Sequence, residues 1–341
     1  MQNLYVTVGP SSFERNIIKQ LDNAGATLFR INMSHTDNKD LESVIKSLQD
    51  WSDVPVCVDS EGAQVRNRVM KGNKEYFSKN SIIELYDDND MIGDTSKMSL
   101  VPPGILNQVK IGDRIRVDFD SVEMEVVESN EQFTAARVLT GGYVGSNKAC
   151  DISRNLKMPA LTDKDKIALD IAKNCSIVDF SLSFCNRHSD VIEMRKQLDK
   201  GDRIISKIES ILGVRNLESI ARESDELLID RGDLSREVPI VSIPFIQRSI
   251  IGKARSMNIP VNVATNLLES MIDKRTPTRS EVNDVVSTLL MGANGLVLAA
   301  ETAIGDYPVL SVKMIKELID ATVLYYDSSV DTFLTLNSNH S

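Results

Sequence analysis

The chain has 341 residues, 42% of them hydrophobic and 26% charged, with 39 Lys and Arg against 49 Asp and Glu. That composition is ordinary for a soluble globular protein, the length allows one large α/β domain with an insertion or two domains, and no apolar run is long enough to span a bilayer. A net charge of −10 opposes binding to nucleic acid or anionic lipid, because neutralising phosphates needs clustered cations.

The N-terminus, "MQNLYVTVGP", enters a β-type run without a basic segment, an apolar signal core or a cleavage pattern, as expected of a cytoplasmic protein. After "LYVTVG", Ser11 and Glu14 have the spacing of a capping box and predict a helix with Phe13, Ile17, Ile18 and Leu21 on one face, closed by Gly25. The strand-like run "TLFRINMS" then leads to the helical "NKDLESVIKSLQDW", and "PVCVDSEG" reads as a third strand. About ninety residues follow before the next helix, far more than a connecting loop uses. Within them "VKIGDRIRVDFDSVEMEVVESNEQFTAARVL" alternates apolar and polar residues, with turn signals at Gly112-Asp113 and Ser129-Asn130, as antiparallel strands do. Thr162 with Asp165 repeats the helix-start signal, and four more β-type runs follow, "SIVDFSLS", "RIISKIES", "ELLIDRGD" and "PVNVATN", then "GLVLAAET", nearly all trailed by amphipathic segments.

Strand and helix in alternation predict a parallel sheet, and eight repeats predict an α/β fold of the (β/α)8 TIM barrel type. The barrel is expected from residues 1–63 and 156–325, a small inserted β domain from 64–155 after strand three, and a short polar tail from 326–341. The cysteines Cys57, Cys150, Cys175 and Cys185 have neither zinc-site nor disulfide spacing and read as single buried thiols.

In such barrels the active site lies at the carboxyl ends of the strands. Here those ends carry Arg30, Asn32 and Ser34; Asp59 and Ser60; Lys207 and Glu209; Asp233; Thr265 and Asn266; and Glu301. Residues two apart share a face, so Arg30, Asn32 and Ser34 are expected to line up, as are Lys207 and Glu209, facing a wet barrel mouth. Glu209 and Asp233 are hard oxygen ligands suited to Mg²⁺ or Mn²⁺, while Arg30 and Lys207 offer the cationic donors a phosphate needs. Together they describe phosphoryl transfer; a structural ion-pair network would explain any single pair but not cations and acids from six strand ends. His35 at the same mouth and Lys148 near "GSNK" are further candidate ligand contacts, and Gly141-Gly142 a phosphate-touching turn.

The segments "TVGPSS", "RINMSHT", "VDSEGAQVR", "IISKIES", "LLIDRGDLSREVP", "ATNLLESMI", "PTRSEVNDV" and "AAETAIGDYP" resemble, in order, the signature segments of pyruvate kinase. The resemblance covers nearly the whole chain, and the inserted β domain looks like the small β-barrel lid of that family; the allosteric domain that follows the barrel in most members has no counterpart in the sequence. It implies a Mg²⁺- or Mn²⁺-dependent transfer of phosphate between phosphoenolpyruvate and a nucleoside diphosphate such as ADP, giving pyruvate and ATP. By the same resemblance Glu209 and Asp233 hold the divalent cation, Lys207 stabilises the phosphoryl group in flight, Arg30 grips the phosphate, and Thr265 lies near the enolate carbon. The peptide groups of Arg231, Gly232 and Asp233 bind the substrate carboxylate, Asn32, Ser34, Asp59 and Ser60 take K⁺, and Arg66, Lys148 and His35 lie on the nucleotide side. "TPTRSEVNDV" resembles a barrel-to-barrel contact and implies a homodimer.

The chain departs from the pattern in three places. Ser60-Glu61-Gly62-Ala63-Gln64 stands for the usual Thr-Lys-Gly-Pro-Glu, Asp230 for a small residue before Arg-Gly-Asp, and Ala299 to Gly305 with Ile304 for "SGETAKG". These changes leave two alternatives: another enzyme using the same metal-enolate centre, with a different acceptor or as a lyase, or a non-catalytic binding relative.

Overall fold

The computed structural model describes residues 2–118, 121–130 and 133–327; the predicted tail at 326–341 lies almost wholly outside them. Two compact units divide the chain, one from the residues up to Gly62 and from Ala160 on, the other Ala63–Pro159.

The first unit is a closed barrel of eight parallel strands: β1 (Asn3–Val8), β2 (Leu28–Asn32), β3 (Val56–Asp59), β4 (Asp179–Leu182), β5 (Arg203–Ile208), β6 (Glu226–Asp230), β7 (Val261–Ala264) and β8 (Gly295–Leu298). Neighbours in sequence are neighbours in the barrel, and β8 closes on β1 with Tyr5 opposite Val297. Each strand is buried on both faces, which is why it reads as a continuous apolar run. Alternate residues point inward and build layers. The middle layer is apolar, with Tyr5, Leu28, Cys57, Ile205, Leu228, Ala264 and Val297 forming one buried cluster. Two residues further along the same strands come Thr7, Arg30, Asp59, Lys207 and Asp230, so one pleat converts an apolar layer into a polar one at the carboxyl ends. Outside the barrel, helices such as Asn38–Trp51, Ile243–Ser256 and Pro308–Asp327 pack their apolar faces on the strands. No helix among the described residues is long and apolar enough to cross a membrane.

The first helix begins later than expected. It runs Arg15–Asn23, and Ser11 does not cap it. The amides of Ser12 and Phe13 both bond back to the Gly9 carbonyl, and the Ser12 hydroxyl takes the Gly9 N–H at 3.1 Å. The two amides a capping box would use go elsewhere, Ser11 N–H to the Ala303 carbonyl at 3.0 Å and Glu14 N–H to the Ser12 carbonyl at 2.8 Å, and Glu14 is left extended at the cap position. At Asp163–Asn174 the capping box does form, from Thr162 and Asp165. The Asp165 carboxylate also takes the amides of Glu61 at 2.6 Å and Gly62 at 3.2 Å, so one buried side chain joins the stretch after β3 to the start of this helix.

The second unit holds a seven-stranded sheet, in the order Cys150–Ile152, Arg114–Val117, Val122–Ser129, Thr134–Thr140, Ile82–Tyr86, Lys97–Val101 and Arg66–Asn67. A bridge from Arg66 to Ala149 and the bond from the Cys150 N–H to the Val65 carbonyl link its two outer strands, making the sheet barrel-like around its own core. Ser129-Asn130 begins the connection between two antiparallel strands, and Gly112-Asp113 precedes a strand. Gly141 and Gly142 have a packing role: a Cβ on Gly142 would collide with the Ser121 carbonyl.

Candidate active site

The run "RIISKIES" forms β5 and its exit, and alternation turns Arg203, Ile205 and Lys207 inward with Glu209 following. Nζ of Lys207 lies 2.8 Å from Oε1 of Glu209, 3.3 Å from Oδ2 of Asp59 and 3.8 Å from Oδ2 of Asp230. Lys207 and Glu209 are 4% and 1% exposed, so they do not line a wet mouth. Their burial is sustained by pairing, since an isolated ion at that depth would be costly.

Asp59 is the hub. Arg30 reaches it through Nε at 2.9 Å and again through Nη2, while Nη1 donates to the Thr7 hydroxyl at 2.9 Å. Register explains the meeting, because Thr7 lies opposite Arg30 and Asn32 opposite Asp59. Ser183, beyond β4, was not legible as a site residue, although its serine after an apolar strand was a usable signal. Its hydroxyl donates to the Ser60 carbonyl at 2.6 Å and accepts from Lys207 at 3.1 Å, while its amide donates to the Ser60 hydroxyl at 2.9 Å.

A second group forms where β6 and β7 end. The Gly232 N–H donates to the Thr265 hydroxyl at 2.8 Å and to Oδ1 of Asp230 at 3.2 Å, so that amide already has two acceptors within the protein. Thr265 and Asn266 both have positive φ, 68° and 52°. A β-branched residue in that region costs on the order of 1–3 kcal/mol. The Arg231 guanidinium holds it there, donating to the Thr265 carbonyl through Nε at 3.0 Å, to the Asn266 carbonyl at 2.9 Å, and to Asp284 at 2.6 Å.

One oxygen each of Glu209, Asp230 and Asp233 lies within 4.8 Å of the others. Oε2 of Glu209 takes the Phe184 amide at 2.6 Å, and Oδ1 of Asp233 takes Arg236 at 3.2 Å. Oε1 of Glu209 is enclosed, with the Lys207 ammonium at 2.8 Å as its partner. Burial lowers the affinity of Lys207 for its proton, but Asp59 and Glu209 outweigh it and hold the ammonium above its ordinary range. Burial, with Asp230 and Asp233 adding repulsion, pushes Glu209 above the usual carboxylate range against the pull of Lys207. Asp233 is raised for the same reasons, burial first and Asp230 second. Hard oxygens crowded until their charged forms are disfavoured fit a divalent cation, which would relieve that repulsion.

The remaining residues are placed less centrally. Asn32 ends β2, and its Oδ1 takes the Ser34 amide at 2.9 Å, so Ser34 sits in a turn and does not continue the face of Arg30 and Asn32. His35 is exposed beyond that turn. Glu301 is buried and accepts the amides of Leu268 at 3.1 Å and Ala299 at 2.9 Å, a structural role at the end of β8. Arg66 and Lys148 belong to the inserted unit, where Arg66 donates to the Asn147 carbonyl at 3.0 Å and Lys148 pairs with Asp118 at 3.2 Å.

The family model for the barrel domain of pyruvate kinase matches residues 2–312. The pyruvate kinase of Methylorubrum extorquens is 32% identical over 332 residues, covering 95% of this chain and 69% of that protein. That of Thermotoga maritima is 30% identical over 322 residues, covering 92% and 69%. For the pyruvate kinase of Bacillus licheniformis the figures are 31% over 320 residues, 90% of this chain and 54% of the relative.

Proposed function

The chain belongs to the pyruvate kinase family, and on that premise we propose that it moves a phosphoryl group between phosphoenolpyruvate and a nucleoside diphosphate such as ADP, releasing pyruvate and the triphosphate. The observation that carries the reading is Lys207 among Asp59, Glu209 and Asp230, with Arg30 on the same Asp59. Arg30 would grip the phosphate. Lys207, kept protonated by its carboxylates, would meet the charge that spreads over the phosphoryl oxygens in transfer. Glu209 and Asp233 would hold Mg²⁺ or Mn²⁺, which supplies positive charge to the phosphoryl and enolate oxygens. Thr265, set by Arg231, would stand near the enolate carbon that takes a proton to become the pyruvate methyl. Asn32, Ser34, Asp59 and Ser60 would bind K⁺, and the run from Thr276 to Val285 would serve a homodimer in the cytoplasm.

Release of pyruvate from phosphoenolpyruvate, measured with ADP, GDP and UDP in turn, tests the reading. Turnover that depends on the diphosphate and falls about a hundredfold or more in Glu209→Gln supports it. No release with any diphosphate, from protein that binds Mn²⁺, counts against it.

A second reading is favoured by the Gly232 amide, which Asp230 and Thr265 already engage, and by Ile304, 62% exposed where the family carries Lys. On that reading the same centre enolises a 2-keto acid or serves another acceptor. It predicts metal-dependent exchange of the pyruvate methyl protons without nucleotide turnover.

A further inference from the structure

We propose that Ser183 is a positioning residue of the transfer: with Asp59 it aims the Lys207 ammonium, holding one N–H on a fixed neutral oxygen while another turns to the phosphoryl group. The inference rests on reading Lys207 as the group that meets the phosphoryl charge. It gives a task to a side chain outside the segments that carry the family resemblance.

An ammonium has three hydrogens to give and accepts none. Around Nζ of Lys207 stand Oε1 of Glu209 at 2.8 Å, Oγ of Ser183 at 3.1 Å and Oδ2 of Asp59 at 3.3 Å, with Oδ2 of Asp230 farther away at 3.8 Å. The group can therefore reach a phosphoryl oxygen only if one partner yields and the others keep it aimed. Glu209 has another claim on its carboxylate, as a proposed cation ligand. Asp59 is held in place by Arg30. Ser183 is buried and fixed as well, because its hydroxyl proton goes to the Ser60 carbonyl at 2.6 Å, with Oδ1 of Asp59 at a longer 3.4 Å. Its lone pair toward Lys207 thus has a set direction, and being neutral it orients the ammonium without adding charge to the site.

The backbone supplies a separate observation. Phe184, next in sequence, has a φ of 49°, a left-handed conformation that bulky side chains avoid and that persists where the surroundings hold it. Around this bend two successive amides point at site oxygens, Ser183 N–H at the Ser60 hydroxyl at 2.9 Å and Phe184 N–H at Oε2 of Glu209 at 2.6 Å. Gly62 presses on the same bend: a Cβ there would lie 2.9 Å from Cβ of Ser183 and 2.9 Å from the Phe184 ring. The chain leaving β3 therefore leaves Ser183 little room to turn away from Lys207.

The test is steady-state release of pyruvate from phosphoenolpyruvate by the full chain, as wild type, Ser183→Ala and Ser183→Thr, with melting temperatures measured alongside. Ser183→Ala removes one oxygen and should lower kcat by about tenfold while KM for phosphoenolpyruvate stays within about threefold, since what is lost is the aim of Lys207 and not the grip on substrate. Ser183→Thr keeps the hydroxyl and should recover most of kcat. A serine with only a structural task would lower the melting temperature of Ser183→Ala and leave kcat within about twofold of wild type; that result overturns the inference while the reading of the site stands. A Ser183→Thr that melts as wild type does yet is as slow as Ser183→Ala overturns it too, because the hydroxyl is then not what matters. If wild type releases no pyruvate with ADP, GDP or UDP, the reading of the site falls and the inference falls with it.

Discussion

Lys207 and Glu209, two residues apart on one strand exit, form an ion pair of 2.8 Å with side chains 5% and 0% exposed. Removing one partner of such a pair leaves the other charged and enclosed. Lys207→Met is therefore expected to lower the stability of the barrel by about 3–5 kcal/mol. Trp51, the single tryptophan, lies half-buried in the barrel unit against Phe13 at 5.2 Å, so urea unfolding followed by its fluorescence reports on that unit.

Arg231 is expected to act through Thr265. Its guanidinium holds two carbonyls in left-handed conformation and is anchored by Asp284. Lysine cannot make that fork, so Arg231→Lys should let the Thr265 hydroxyl drift and lower kcat by about tenfold to a hundredfold. Steady-state pyruvate release should show a larger change in kcat than in KM for phosphoenolpyruvate, and a circular-dichroism spectrum should show the fold retained.

At the amino ends of the strands, Glu226 accepts from Tyr5 at 3.0 Å and from Arg203 at 2.8 Å, and Asn262 also donates to it. Burial raises its pKa above 4.5, with Arg203 opposing. The folded protein therefore holds this proton where the unfolded chain has lost it, and stability from this group falls as pH rises from the unfolded value through the folded one. Glu226→Gln lacks that dependence. Relative to the variant, wild type should lose stability on going from below the unfolded carboxylate pKa to neutral pH, as read from urea midpoints across that range.

Gly295 opens β8 where it crosses β1, and a Cβ there would run into Asn3 and lie 2.7 Å from Oδ1 of Asn262. Gly295→Ala should cost about 1–3 kcal/mol by overpacking. Thermal melting checks it, with Gly252→Ala, where a Cβ meets nothing within 4 Å, as the tolerant comparison.

The barrel strands were legible because strands buried on both faces give unbroken apolar runs, and period-two spacing correctly paired Lys207 with Glu209. The start of the first helix was not, since Ser11 and Glu14 have capping-box spacing while the Gly9 turn, a backbone event, decides the boundary. The contact between Asp230, Gly232 and Thr265 was equally hidden. It joins residues 33 to 35 apart across two strands, and depends on a positive φ at Thr265 that its residue type argues against. The depth of Lys207 was misjudged for a related reason: alternation gives the direction of a side chain, but how far neighbouring acids enclose it is set by registry around the barrel.

Asp165 has a consequence for how the chain reaches its fold. β3 and β4 pair directly, with Cys57 opposite Asp179, yet the whole inserted unit lies between them in sequence. Closing that gap costs about 1–2 kcal/mol more entropy than closing an ordinary strand-helix-strand repeat of the same barrel. By taking the amides of Glu61, Gly62 and Thr162 on one carboxylate, Asp165 clasps the base of this detour. Those bonds form only once the two ends of the excursion have met, so they offset part of the closure cost at the place where β3 and β4 must pair.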